Sequence, residues 1–284
     1  MSDVEAPKNP EITRTFPINL RKNSIIAELG EPIVSDPAEL EINPEELRGR
    51  TALITGATSG LGAATAELFS SFGMNVIIVG RDLKRGTDSL RRVTETGGEG
   101  MFIQGDISIP ERATEIVRLG VAEFGRIDVG VLNAGIVSDA PITEMTPDQW
   151  YDVTHGVVDM TFFPAQALAK RMIDQENSRI PNLIFVSSVS EIGNKQQANY
   201  SSAKAGIEAL AKVFAREFSG ISVGIFRPGF INTEMLRNEE KGLRTAEVLA
   251  KGLPAGRVFT AEEAARGPAY LASLKESGHV LTLA

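Results

Sequence analysis

The chain has 284 residues, a formal net charge of -8, 42% hydrophobic residues, two histidines and no cysteine. That length suits one large α/β domain or two small ones, and the acidic balance, with a pI near 5.1, argues against a nucleic-acid surface. Without cysteine there are no disulfides, thiolate nucleophiles or cysteine zinc sites, and His155 and His279 stand too far apart to suggest a metal site.

Asp3, Glu5 and Lys8 stand where a secretory signal would have its apolar core. No apolar run approaches the ~20 residues of a bilayer span, so a cytoplasmic protein with no membrane partner is expected. Residues 1–48 hold Pro7, Pro10, Pro17, Pro32 and Pro37, many charges and short apolar clusters such as 24–29. Such a stretch builds no core of its own and reads as an N-terminal arm, partly ordered or disordered, with residues 41–50 leading into the first strand.

From Thr51 the pattern becomes a regular alternation. Strands are predicted at 51–55, 75–79, 101–104, 127–132, 182–186 and 221–226, and helices at 61–72, 83–96, 112–124, 147–175 and 198–218. Strands and helices of these lengths imply right-handed crossovers and a parallel sheet covered on both faces. The expected fold is α/β: residues 49–284 form one Rossmann-like doubly wound sheet, a three-layer α/β/α domain with the arm as an extension. Ligands should then sit at the carboxyl ends of the strands.

The first strand runs into Thr55-Gly56-Ala57-Thr58-Ser59-Gly60-Leu61-Gly62. Three glycines at a strand-to-helix turn permit close approach of a diphosphate, and the helix start favours its charge. The second strand ends in Gly80-Arg81-Asp82. No acid occupies the position that would bind a ribose 2′-hydroxyl, while Arg81 suits a 2′-phosphate, so NADP(H) is expected to be preferred. NAD(H) stays open because Asp82 could reach the ribose. After the third strand, Asp106 precedes Ile107 and could accept from an adenine amino group. After the fourth come Asn133, Ala134 and Gly135, whose glycine lets backbone approach the cofactor.

Residues 198–218 carry Tyr200-Ser201-Ser202-Ala203-Lys204, with Ser187 and Ser188 upstream. Helical spacing of four places Tyr200 and Lys204 on one face. An ammonium beside a phenol favours the phenolate and lowers its pKa, so the pair reads as a proton donor and its tuner.

Together the glycine turn at 55–62, Asp106, Asn133-Ala134-Gly135, the serines, Tyr200, Lys204 and the run Arg227 to Thr233 resemble the classical short-chain dehydrogenase/reductase family over residues 48–284. The resemblance implies an NAD(P)-dependent oxidoreductase in which Tyr200 passes a proton as hydride moves to or from nicotinamide. It implies that Lys204 holds the nicotinamide ribose and lowers the tyrosine pKa, and that a serine, Ser188 or Ser187, bonds the substrate oxygen. Ser188 is chosen, with a one-residue shorter loop than is usual. Pro228, Gly229, Ile231 and Thr233 would line the nicotinamide side, and residues 234–257 would form the substrate lid. The family commonly associates through its long helix and its tyrosine helix, so a homodimer or homotetramer is expected.

Three departures stand out. Seven residues after Trp150, where the family usually has an asparagine that helps hold a proton-relaying water, this chain has Val157; Thr154 and Thr161 are candidate substitutes. Leu132 replaces the first asparagine of the usual Asn-Asn-Ala-Gly. The sequence stops at Ala284 without the glycine-rich tail that often follows the last strand. The leading expectation is an NADPH-dependent reductase of a ketone or aldehyde, or the reverse reaction. Non-redox chemistry on the same scaffold (dehydration, isomerisation or cyclisation) and a non-catalytic dinucleotide sensor are the alternatives.

Overall fold

The computed structural model describes residues 33–176, 178–237 and 242–284. The apolar clusters at 24–29, and the rest of the expected arm up to residue 32, lie outside the described residues.

In chain order the elements are β1 (Ile33–Val34), α1 (Pro44–Leu47), β2 (Thr51–Thr55), α2 (Gly60–Ser71), β3 (Asn75–Gly80), α3 (Leu83–Glu95), β4 (Gly100–Gln104), α4 (Pro110–Phe124) and β5 (Val129–Leu132). Then follow α5 (Pro147–Asp174), β6 (Asn182–Val186), α6 (Ala198–Glu217), β7 (Ser222–Pro228), α7 (Glu234–Arg237), α8 (Gly242–Ala250), α9 (Ala261–Ala264), α10 (Arg266–Ser273) and β8 (His279–Leu283). Short 3-10 turns occupy Pro37–Glu39 and Val189–Ile192.

The strands form one eight-stranded sheet in the order β1-β8-β7-β6-β5-β2-β3-β4, and every pairing is parallel. Every residue of β2, β5 and β6 is buried, as a sheet covered on both faces requires. Helices α2, α3, α9 and α10 pack on one side and α4, α5 and α6 on the other. The strand order reverses between β2 and β5, so the carboxyl ends of those two strands flank the crevice where such folds bind ligands.

Helix starts follow the polar residues before them. Asp82 accepts from Arg85 N at 2.9 Å, and Thr146 forms a reciprocal capping box with Gln149. The predicted strand 127–132 is shorter in the structure, beginning at Val129, and the predicted 221–226 instead runs Ser222–Pro228. Residues 33–48 join the domain: β1 pairs with β8, and Arg266 donates to Pro37 O and Leu40 O at 2.7 and 2.8 Å. No described helix is long and apolar enough to cross a membrane.

At the amino ends of the strands, Arg50 is 5% exposed and tied into four acceptors. Its Nη1 donates to Ala272 O at 3.1 Å, and its Nη2 to Asp128 O, Ile180 O and Asn182 Oδ1 at 3.0, 3.0 and 2.7 Å. Burial pulls its pKa down to about 10 although Asp128 opposes the shift. Asp128 in turn accepts from Thr51 N at 3.0 Å and from Arg126. Arg50→Leu removes the donor and leaves those oxygens in the core, so the urea midpoint should fall by the equivalent of about 3 kcal/mol or more. A change under about 0.5 kcal/mol, the range of ordinary surface substitutions, would show that this hub is not what holds the strand ends.

Candidate active site

The turn after β2 is fixed from beneath by two side chains. Thr55 Oγ1, buried, accepts from Asn133 N and Ala134 N at 2.9 and 3.0 Å and faces Val131 O at 3.3 Å. Asn133 Nδ2 donates to Thr55 O and Gly56 O at 3.0 and 3.3 Å. These bonds lock the end of β2 to the end of β5. Gly62 completes the lock by close approach: a Cβ there would lie 2.5 Å from Gly56 O and 2.6 Å from Asn133 Nδ2. Thr55 and Gly62, both expected to bind cofactor, thus lie behind the turn, whereas Gly56, Thr58, Ser59, Gly60, Leu61, Asn133, Ala134 and Gly135 line a cavity of about 920 Å³. Ser59 makes no side-chain bond to the first turn of α2, so that turn has no side-chain cap.

Arg81, Asp106 and Ile107 line the same cavity at the ends of β3 and β4. Gly80 carries no acid for a packing reason: a Cβ at Gly80 would lie 2.4 Å from Thr58 Cγ2. Asp82, the alternative ribose acceptor, spends Oδ1 on the Arg85 N–H that starts α3. Asp106 accepts from Ser108 Oγ and N at 2.6 and 3.0 Å, and these bonds hold its carboxyl below the usual range.

Helix α6 brings Tyr200 and Lys204 to the other end of the cavity, with the Lys204 Nζ 5.4 Å from the Tyr200 ring centre. Ser188, the residue after Ser187 at the end of β6, accepts from Ser190 N at 3.1 Å and stands near enough to the Tyr200 hydroxyl to favour its ionised form. Ser187 is 1% exposed and turns its hydroxyl toward Lys204 O at 3.5 Å. Ser188 is therefore the serine that meets the phenol.

The expected lowering of the Tyr200 pKa is reversed. Burial pushes it up to about 12, and Asp139 adds to the rise while Ser188 opposes it. Lys204 is 3% exposed, donates to Val186 O at 2.7 Å, and is itself pulled down to about 8 by burial against the opposing charge of Glu208. The sequence reading weighed only the neighbouring charge; in the fold, burial is the largest influence on both groups.

The candidate stand-ins for the missing asparagine both spend their hydroxyl hydrogen within α5. Val157 is fully buried, Thr154 donates its hydroxyl to Trp150 O at 2.6 Å, and Thr161 donates to Val157 O at 2.9 Å. Both threonines bond back into their own helix.

Pro228, Gly229, Ile231 and Thr233 line the cavity beyond β7, as do Met235, Leu236 and Leu249 of α7 and α8. Residues 238–241 of the expected lid lie outside the described residues. Glu234 at the start of α7 is tied to Arg85 at 2.6 Å. Two features escaped the sequence reading. Glu208 follows Lys204 by one helical turn, a spacing that was available as a signal, and pairs with Arg227 through two bonds of 2.6 Å. Asp139 lines the cavity from the loop after β5, and nothing in its local sequence marks it. Among the described residues no group of acidic or histidine side chains could hold a metal ion.

Comparison with known proteins places this geometry. A family model described as short chain dehydrogenase matches residues 50–244. The 3-oxoacyl-[acyl-carrier-protein] reductase FabG of Escherichia coli (strain K12) is 34% identical over 227 residues, covering 79% of this chain and 90% of that protein. A 3-oxoacyl-[acyl-carrier-protein] reductase of Synechocystis sp. is 32% identical over 230 residues, covering 80% and 90%. Among solved structures, a short-chain type dehydrogenase/reductase from Mycobacterium marinum matches with a TM-score of 0.77 at 28% identity, over 84% of this chain and 94% of that one.

Proposed function

The chain belongs to the short-chain dehydrogenase family of NAD(P)-dependent oxidoreductases acting on carbonyl and alcohol groups, and within it we propose a ketone reductase that prefers NADP(H) and uses Tyr200 as its proton donor. The observation that carries this reading is geometric. Ser188, Tyr200 and Lys204 line one end of the cavity whose other end is the glycine turn and the uncapped start of α2, so a proton-bearing phenol stands where a nucleotide held at that turn would present its far end. The curated relatives named above are reductases of a 3-oxoacyl group. Ketone reduction is the part of their chemistry carried over; the carrier protein is not.

The cavity fits a dinucleotide. It runs from the uncapped start of α2 to Tyr200, and a Cβ on Gly135 would have only Lys204 Nζ within 4 Å, at 3.9 Å, so backbone approach there is open. Bound nicotinamide supplies the hydride. Arg81 reads the 2′-phosphate that distinguishes NADP(H), since Gly80 and Thr58 exclude an acid and Asp82 is committed to its cap. Lys204 holds the ribose side of the site, Ser188 orients the substrate oxygen, and Tyr200 protonates it.

Three outcomes test this reading. Tyr200→Phe keeps the ring but removes the proton, so kcat should fall by ~10²–10⁴ while NADPH still binds; near-normal turnover would remove Tyr200 from the mechanism. In the same assay the wild-type rate should decline as pH rises through about 8, where Lys204 loses its proton, and that inflexion should vanish in Lys204→Met. Arg81→Ala should weaken NADPH binding in a fluorescence titration by roughly one to two decades and NADH much less, because a charge-assisted phosphate contact is lost; equal losses would reject the phosphate role. Trp150, Tyr151 and Ile173 of α5 and Val213 of α6 are exposed apolar side chains on the two helices expected to carry self-association. Light scattering should give two or four times 30.5 kDa, and a mass at the monomer value would reject a stable oligomer.

A further inference from the structure

Tyr200 is held by the residue before it. Asn199 lies in the first turn of α6 and is fully buried, with both ends of its side-chain amide bonded. Its Nδ2 donates to Ser138 O at 2.9 Å in the loop after β5 and to Gln149 O at 2.8 Å in the first turn of α5. Its Oδ1 accepts from Tyr200 N at 2.7 Å. One side chain thus ties the tyrosine backbone to two elements distant in sequence, and the loop among them lines the cavity through Ile136, Val137 and Asp139.

The N–H that Asn199 takes is one that a helix usually satisfies from outside. Tyr200 is the third residue of α6, the position whose N–H a cap side chain ordinarily accepts. Gln197 stands in the cap position but makes no side-chain bond to the turn. Its Nε2 donates to Asp139 Oδ2 at 2.8 Å, and its Oε1 accepts from Asn194 Nδ2 at 3.0 Å. The turn is therefore capped from within, by an amide whose own place is set by α5 and by the loop after β5. A cap from Gln197 would satisfy the same N–H without reference to either. The arrangement found makes the cap a tether: the backbone that carries the phenol moves along or around α6 only by breaking a buried bond to another element.

We propose that Asn199 is a positioning residue for Tyr200: by anchoring the tyrosine backbone to α5 and to the loop after β5, it holds the phenol within proton-transfer reach of a bound substrate. This assignment rests on the reductase reading and deepens it. Proton transfer needs heavy atoms about 2.6–3.2 Å apart, and a misplacement near ~1 Å costs on the order of a hundredfold in rate. Dinucleotide binding draws on the glycine turn at the other end of the cavity and is much less sensitive to such a shift.

The test compares wild type, Asn199→Ala, Tyr200→Phe and the double variant. Reduction of ethyl acetoacetate, a simple 3-oxo ester, is followed with NADPH, and NADPH binding is read by fluorescence titration. Asn199→Ala should lower kcat ~10- to 100-fold and leave the NADPH Kd within about threefold. On the Tyr200→Phe background the same change should cost nothing further, because no phenol is left to misplace. A second readout needs no turnover. 3-Fluorotyrosine labels Tyr151, Tyr200 and Tyr270, and the Tyr200 resonance is the one absent from Tyr200→Phe. Asn199→Ala should shift that resonance and leave Tyr270, on α10, where it is. Should the alanine variant not fold, Asn199→Ser, which opens a smaller gap, carries the same expectations. Equal losses on the two backgrounds, or an unmoved Tyr200 resonance, would mean that Asn199 only holds the fold, and would overturn the assignment while leaving the reductase reading intact. The resonance is read without substrate, so it decides the placement of the phenol even if wild type leaves ethyl acetoacetate unreduced, an outcome that would count against the reductase reading alone.

Discussion

Burying the Lys204 ammonium is the constraint around which the site is built. An ion taken from water into the core costs several kcal/mol, and a single neighbour rarely offsets it. Here the ammonium has Val186 O at the end of β6 and the carboxylate of Glu208 one turn along α6. Glu208 is in turn held by both arms of Arg227, and Arg227 lies 3.5 Å from Glu191. The charges alternate in sign from α6 to β7 and back to the turn that begins at Ser188. Each member is tolerable only because of the next. The row therefore fixes the serine, the tyrosine helix and the start of the Pro228–Thr233 wall against one another.

At the far end of the cavity, neutral groups serve the same purpose. Thr55 and Asn133 carry no charge, yet they join the ends of β2 and β5 at the place where the strand order reverses. A doubly wound sheet is weakest there in one respect, since its two halves meet through backbone pairing over only a few residues, Ala52 to Ile54 on β2. Side-chain bonds at the carboxyl ends and the Arg50 hub at the amino ends clamp this seam from both directions. The glycine turn consequently stands on a rigid floor, which a pocket for a long, charged ligand needs if binding is not to reorganise it.

How much of this was legible in the sequence depends on the range of the physics involved. The alternation of strands and helices follows from apolar runs and caps, both local, so the central elements came out within a few residues. Strand β1 was not foreseen, because two residues become a strand only when β8 presents an edge to them. The glycine turn and the Tyr200 to Lys204 spacing were readable because helix and turn geometry are local too. Burial is not local. The direction of the Tyr200 shift could not be read from Lys204 alone, since burial by the whole fold is its largest cause. The choice between Ser187 and Ser188 likewise depends on which hydroxyl faces α6, and the 138–140 loop is held at the site by bonds that span 56 to 61 positions of sequence.

Val157 follows from the same charge row. Where the family pattern has an asparagine, this chain presents an apolar side chain, and Thr161 closes its hydroxyl onto the Val157 carbonyl. Long helix α5 thus supplies no side-chain amide at this height, and that carbonyl already accepts one donor. Lys204 does without it, because its ammonium is satisfied by β6 and by its own helix. The polar neighbours of the phenol, Ser188 and Asp139, lie on the cavity side. The polar groups that act on the phenol accordingly come from the end of β6 and from the loop after β5, and none of them from α5.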